Sequence, residues 1–497
     1  MAGMSAATGT RRRLWLRTVV AVPAVTVLFT AFVAPFGATQ AHAAQSQVQR
    51  PGPKNSITDV AGIRVGQYAR TDKPYLTGTT VVYAPDGAFG GVDVAGGAPG
   101  TRETDELDPR DEVENINAVT LSGGSAYGLA AADGVMRYLE QHNQGFPVGS
   151  QPGEVVPLVP SAIIYDLGRG GSFTARPDTG FGYRAISNNT SGRVGQGVVG
   201  AGAGAVAGGF KSGVGTASVE LGNGIVVGAL MVDNSVGSAV NPENCGFYAR
   251  YLELGHEFGR LRLPSAAECS AWRAGTASTR GAGSAQSGSS MNTTIGVVAT
   301  NATLTKAQAW KMAQVAQDGE ARAISPVHTL FDGDTIFAMS TAKLGLNCTT
   351  AGCSPDATHR LIDCQLQTTG QPAAAGACDA TLSEIYTAAA NAVSRAIVHA
   401  HLAARSVDGF RSYCDTFPSA CSAGVQANGV AWSTGGKPTT NRPLTPRQAV
   451  STGAASPLGQ APLWSLIGAA VLLCVAGYGA AGRIRSARRR AVREAPH

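Results

Sequence analysis

Apolar positions along the chain switch between two periods, and the switches mark the elements. Short runs at Thr79–Tyr83 and Ala118–Leu121 have the length and branched content of buried strands. From Tyr127 to Tyr138 apolar residues recur at helical spacing, and the pattern ends near Gly145. Ala217–Leu221 and Ile225–Val232 flank Gly222-Asn223-Gly224, a hairpin signal. Thr294–Thr300 alternates as a strand, after which Thr305 caps a helix through Trp310, Met312 and Val315 to about Ile324. Ile336–Ser340 is strand-like, and Thr381-x-x-Glu384 is a capping box that predicts a long helix to about Ser406. Strands paired in hairpins beside long amphipathic helices predict an α+β sandwich. Residues 273–292 break the pattern: they are small, polar and without period, and predict a long exposed loop in mid-domain.

The two ends read as addresses. Arg11-Arg12-Arg13 and Arg17 precede an apolar run from Thr18 to Ala34 and the small-x-small triplet Ala41-His42-Ala43, which predicts an export signal over residues 1–43. The same arginines fit a twin-arginine pattern and a generic basic leader equally, so the export route stays open. Leu463 to Ala481 carries no charge in nineteen residues and is followed at once by six arginines. At about 1.5 Å per residue it spans a hydrocarbon core. It predicts a transmembrane helix at 463–482, a cytoplasmic basic tail at 483–497 and a flexible stalk at 422–462. The expectation is a single-pass protein of the cell membrane with an extracellular hydrolase domain.

Charge then changes the picture. The ends supply +4 and +5 of the formal +6, so the body between them carries −3, which excludes a polyanion-binding reading; no nucleic-acid partner is expected. Of the nine cysteines, Cys474 falls in the apolar run, and the other eight suit disulfides in an oxidising compartment. Eight cysteines allow 105 pairings. Pairing of neighbours (245–269, 348–353, 364–378, 414–421) is the expectation, and no zinc spacing occurs among them.

The standard catalytic motifs are absent. Neither HExxH nor GxSxG occurs, and Gly195-Gln196-Gly197-Val198-Val199-Gly200 lacks the framing strand and helix of a dinucleotide site, so close backbone packing explains it better. None of the eight histidines pairs with a serine or cysteine as a triad requires. A hydrolase without a histidine base can use a nucleophile whose own α-amine is the base. Thr293 has the ingredients: a loop upstream, a hydroxyl and a strand to aim it. Being internal, it requires the chain to cut itself between Asn292 and Thr293. By itself, Asn-Thr-Thr reads more readily as the plain start of a strand than as a cleavage site.

Thr293-Thr294-Ile295-Gly296-Val297-Val298 and His328 to Ala338 resemble a known family in the same order as Leu121-Ser122-Gly123-Gly124-Ser125-Ala126-Tyr127-Gly128 and Ser161 to Asp166. It is the L-aminopeptidase/D-esterase family of self-cleaving N-terminal-nucleophile hydrolases, with the nylon-oligomer (6-aminohexanoate) endohydrolases the nearest branch, over about residues 55–410. The resemblance implies a four-layer αββα sandwich, cut into an alpha chain (44–292) and a beta chain (293–421) that stay together and assemble as homo-oligomers. It implies Thr293 as nucleophile, Asp332 and Asp334 as an acidic pair reaching the new amine, and Lys211 as the active-site lysine beside them. Asn234 matches the oxyanion amide and Tyr165 a pocket tyrosine. No cofactor or metal is implied. Taken singly, Lys211 reads as a loop lysine, Asn234 as a turn residue, Tyr165 as a core aromatic and Asp332-Gly333-Asp334 as an acidic turn.

The implied function is an aminopeptidase or amide-oligomer hydrolase acting at the cell surface on small peptides or amides. Acyl transfer of the ornithine acetyltransferase kind and a non-catalytic surface binding protein are the alternatives. Segments 243–272 and 345–380, which carry most of the cysteines, read as insertions.

Overall fold

A computed structural model describes residues 49–281, 291–349, 352–356 and 372–421. The strands are β1 (Arg64–Arg70), β2 (Thr77–Val94), β3 (Thr101–Arg102), β4 (Asn115–Ser122), the small hairpin β5 (Phe146–Pro147) and β6 (Val155–Val156), β7 (Ser161–Ile163), β8 (Val206–Ala207), β9 (Phe210–Lys211), β10 (Val214–Glu220), β11 (Val226–Asn234), β12 (Thr293–Ala302), β13 (Thr335–Thr349) and β14 (Gly352–Asp356). The helices are α1 (Ala131–Gln141), α2 (Thr179–Ser187), α3 (Ala266–Gly281), α4 (Lys306–Ala323), α5 (Pro372–Leu402) and the short α6 (Tyr413–Thr416).

The long strand β2 organises the layers. Its first half pairs with β1 and β4, and its second half pairs with β13, which continues through β12 and β11 to β10. One ribbon thus belongs to two packed halves. Side chains of alternating strand residues separate cleanly. Val82, Val119 and Leu121 meet Leu230, Val232, Ile295, Val297 and Phe337 in a core between the halves. Val81, Tyr83 and Ala118 turn outward onto Val135 and Leu139 of α1 and Ile186 of α2. On the far side Val227, Ala229, Met231, Val298, Ile336 and Ala338 pack on Ala309, Met312, Ile385, Val393 and Ile397 of α4 and α5. Covered on both faces, these strands are largely apolar on either side. The α+β layering, helix–strand–strand–helix, is the expected one.

Helix ends agree in part. Thr305 caps α4 through a full capping box with Gln308. The box expected at Thr381 does not open α5, which already runs from Pro372; proline in the first turn and the alanines after it extend the helix backwards. The expected loop at 273–292 begins as helix, because Ser265 and Glu268 form a capping box that starts α3. The glycines at 195–200 pack closely: a Cβ on Gly197, at φ +80°, would lie 2.1 Å from the Ala403 carbonyl oxygen. Cys245–Cys269 and Cys414–Cys421 are joined as expected. Cys348 stands opposite Cys353 in the β13–β14 register, and Cys364 lies outside the described residues.

Among the described residues no helix is long and apolar enough to cross a membrane. This corrects the expected fold class, which carried a C-terminal transmembrane helix, and the expected single-pass location at the cell membrane. The longest helix, α5, has 31 residues but carries Arg395, His399 and His401 inside the fold, where they bond to neighbouring chain. The leader at 1–43, the stalk at 422–462, the run at 463–482 and the tail at 483–497 lie outside the described residues.

Candidate functional site

The sheet register brings the threonine to its neighbours. β11 and β12 run antiparallel with Asn234 opposite Thr293 and Asp233 opposite Thr294. β12 and β13 run parallel, so the segment leading into β13 lies beside the start of β12, and Asn292 bridges to Asp332. Thr293-Thr294-Ile295 is β-branched and starts the strand at once, which fixes Thr293 at its rim, 3% exposed.

The carbonyl of Asn292 receives two donors: the Thr293 hydroxyl, through a very short hydrogen bond, and the N–H of Gly333 at 3.2 Å. Gly333 has to be glycine here, because a Cβ would sit 2.6 Å from the Ala98 carbonyl oxygen and 3.0 Å from Thr293 Oγ1. The Asn292 side chain donates to the Ser235 carbonyl at 2.9 Å, and its N–H donates to the Phe331 carbonyl at 3.0 Å. The bond between Asn292 and Thr293 is therefore held from both sides.

The acidic pair divides its work. Asp334 Oδ1 accepts the Thr294 N–H at 2.7 Å, and its Oδ2 accepts the His328 N–H at 3.1 Å and meets His328 Nδ1 at 2.9 Å. Asp332 accepts from the Val236 N–H at 2.9 Å and the Thr329 hydroxyl at 2.5 Å. Asp332 thus braces the 235–236 turn rather than the threonine. Burial pushes its carboxyl above the usual range, and Asp334 adds to the rise.

Lys211 is held by backbone carbonyls. Gly208 and Gly209, both at positive φ, turn the two-residue hairpin β8–β9 and drive Lys211 fully inside. Its Nζ donates to the carbonyls of Gly202, Ala205 and Ser212 at 3.2, 2.7 and 2.6 Å. Among the described residues no hydrogen bond or ion pair joins it to Asp332 or Asp334. Burial pushes the Lys211 ammonium well below its ordinary pKa, helped by Arg169 and opposed by Asp166. Asn234 is fully buried; its Oδ1 accepts from Arg169 and from the Val206 N–H at 3.1 Å, and its Nδ2 makes only a long contact, 3.4 Å, with the Tyr165 carbonyl. Tyr165 is half-buried beside it.

Several residues of this region were not singled out by sequence. Arg169 clamps Asn234 and the Gly204 carbonyl. Asp233 pairs with His401 of α5 at 2.8 Å, both fully buried. Glu320 of α4 is fully buried, and among the described residues neither of its carboxyl oxygens has a hydrogen-bond partner. Arg169, Asp233 and His401 carry no local pattern, because they meet their partners across long stretches of chain. Ligand atoms of Glu320, His328 and Asp334 lie within 4.8 Å of one another. His328 Nδ1 already serves the carboxylate of Asp334, so we read these as a hydrogen-bonded His328–Asp334 pair with Glu320 beside it. A cleft of about 500 Å³ beside Phe210, Trp272 and Phe410 shares no lining residue with the threonine cluster.

Asp166 supplies a titration test. Its buried carboxyl accepts the Gly124 N–H at 2.7 Å, and burial pushes it up to about 6. The folded chain holds that proton more tightly than the unfolded one, so its contribution is lost as pH rises from 3.8 through about 6. Asp166→Asn should flatten that part of the stability–pH curve in denaturant unfolding. An unchanged slope would contradict the assignment.

Residues 55–414 match peptidase family S58. The chain is 44% identical over 381 residues to an uncharacterized aminopeptidase of Mycobacterium leprae, covering 74% of this chain and 96% of that one. It is 31% identical over 305 residues to the 6-aminohexanoate-oligomer endohydrolase of Paenarthrobacter ureafaciens, covering 60% and 77%. A Burkholderia sp. beta-aminopeptidase structure overlays with TM-score 0.49 at 22% identity, covering 75% of this chain and 96% of that one. The chain belongs to peptidase family S58 and is a hydrolase of peptide or amide bonds.

Proposed function

We propose that this hydrolase matures by cutting its own Asn292–Thr293 bond and then uses Thr293 as an N-terminal nucleophile on short peptides or amide oligomers. The observation that carries the reading is the convergence of the Thr293 hydroxyl and the Gly333 N–H on the one Asn292 carbonyl. Attack by Oγ1 places negative charge on that carbonyl oxygen, where the Gly333 N–H stabilises it. The C–N bond breaks, the amine takes up the hydroxyl proton, and the acyl group rests on Oγ1 as an ester. Water then opens the ester, leaving a carboxylate on Asn292 and a free hydroxyl and amine on Thr293.

The amine, with an unperturbed pKa of about 7.7–8.0, next takes the hydroxyl proton as Thr293 attacks a substrate amide. The leaving amine carries that proton away, and water releases the acyl group. Asn234 Nδ2, poorly used by its long contact, serves as oxyanion donor. Asp334 orients the strand end, Asp332 braces the turn, and Lys211 fixes the loop of carbonyls behind Asn234. Tyr165 forms a wall of the pocket. The relatives named above as an aminopeptidase and an oligomer endohydrolase favour peptides and amide oligomers as the substrates to try.

Both products stay in one sheet. β12 lies between β11 from the first piece and β13 from the second, and β13 pairs onward to β2 of the first. The test is a denaturing gel with N-terminal sequencing of the purified chain. Two bands, the smaller beginning at Thr293 and co-eluting with the larger without denaturant, are expected. A single uncut chain with full activity would refute the scheme.

A further inference from the structure

Behind the threonine end lies an acid cluster of which the scheme above uses only Asp332 and Asp334. Asp334, Asp233 of β11, Asp332 and Asp93 of β2 each act through space on Glu320 of α4. Two imidazoles face them: His401 from α5, bonded to Asp233, and His328, bonded to Asp334; Lys311 of α4 acts on Asp93 from outside. His328 sits at φ +53°, a left-handed conformation that costs a histidine energy and is retained where surroundings impose it. In that conformation its backbone N–H and its ring both reach the same Asp334 oxygen. The other Asp334 oxygen holds the Thr294 N–H, one residue from the nucleophile. Glu320 Oε2 lies 3.9 Å from the same ring nitrogen.

We propose that His328 is the positioning residue that clamps Asp334 against the threonine strand, and that Glu320 is a proton-bearing acid whose neutrality protects the clamp. Two carboxyl groups compete for one Nδ1–H. At 2.9 Å Asp334 has it, and at 3.9 Å Glu320 does not. An ionised Glu320 would attract the imidazole away from Asp334 and loosen the Thr294 contact. It stays neutral because both its oxygens are buried and unpartnered among the described residues, with four aspartates around it. Burial, then Asp334 and Asp233, raise its pKa well above the carboxylate range, which supports the geometric argument.

The role rests on Thr293 as the reacting end; the protonation of Glu320 does not. Glu320→Gln keeps the shape and the neutrality, so kcat should stay within about threefold of wild type near neutral pH. On the alkaline side Gln cannot ionise, and activity should persist to higher pH than in wild type. His328→Gln should lower kcat by about tenfold to a hundredfold, the cost of a misplaced reacting group, with KM little changed. Infrared difference spectra of the full chain should show a protonated-carboxyl stretch in wild type that is missing in Glu320→Gln. That band needs neither activity nor cleavage, so it reads the acid even where the threonine reading fails. Loss of activity in Glu320→Gln equal to that in His328→Gln, an infrared band unchanged by Glu320→Gln, or an unaltered kcat in His328→Gln would each overturn the proposal.

Discussion

Thr293→Ala should leave a single uncut chain on a denaturing gel and lower hydrolysis by at least about 10⁴-fold, the scale on which removing a nucleophile acts. The size follows from the double use of one residue. Without Oγ1 the Asn292 carbonyl has the Gly333 N–H but no attacking atom, so no cut occurs. Without the cut, Thr293 nitrogen remains an amide, and the base for substrate attack never exists. Thr293→Ser keeps both roles and should still mature. Its β12 start is less β-branched, so slower cutting is the expected difference. A cut Thr293→Ala chain, shown by sequencing a fragment that begins at Ala, would remove Thr293 from the self-cleavage step. Full hydrolysis by an uncut Thr293→Ala chain would remove it from the second.

The outcome separates what chain order shows from what folding adds. The hairpin β10–β11, the strand at Thr293 and the cap at Thr305 were legible because each is a local pattern of turn glycines, branched residues or a capping side chain. Asp332 and Asp334 were legible as a pair two residues apart. Their division of labour was not, because β13 starts only at Thr335 and the pair lies in the approach to it. Two residues apart on a strand would share a face. In the approach they point to different partners, Val236 and Thr294. Lys211 shows the same limit from the other side. Its motif located it on a hairpin, but only the folded loop at 202–212 shows its charge spent on three carbonyls. Arg169 and His401 were illegible because no periodicity or spacing ties them to Asn234 and Asp233, more than sixty residues away, and Glu320 because nothing in its helix pattern marks it as facing Asp334 and His328. The box at Ser265 and Glu268 is a local signal too, but the small polar residues that follow it mask the start of α3.

The largest expected loss of stability lies away from the threonine, at Glu257. Its carboxylate takes both arms of Arg395, at 2.5 and 2.6 Å, with His399 at 3.3 Å and the Asn55 amide at 2.6 Å. Arg395 is fully buried in α5 and also reaches the Ser218 carbonyl and the Asn55 side chain, so one guanidinium ties α5 to β10 and to the chain before β1. Glu257→Ala leaves that charge buried and unpaired, which costs about 3–5 kcal/mol. Replacing both partners by apolar residues of similar volume should cost much less than the single change, because the expense is the unpaired ion rather than the missing bond. The pH dependence has a definite sign. Burial raises the Glu257 carboxyl pKa, but His399 and Arg395 together outweigh it and hold the group below the carboxylate range. A depressed folded pKa means the contribution is fully present above 4.5 and is lost as pH falls through the folded value. Denaturant unfolding of wild type and Glu257→Ala should therefore give a difference that is constant near neutral pH and shrinks only in strong acid. A neutral-pH difference within about 1 kcal/mol, the scale of an exposed pair, would mean that water reaches Arg395 and that the pair is not the tie between α5 and the sheet.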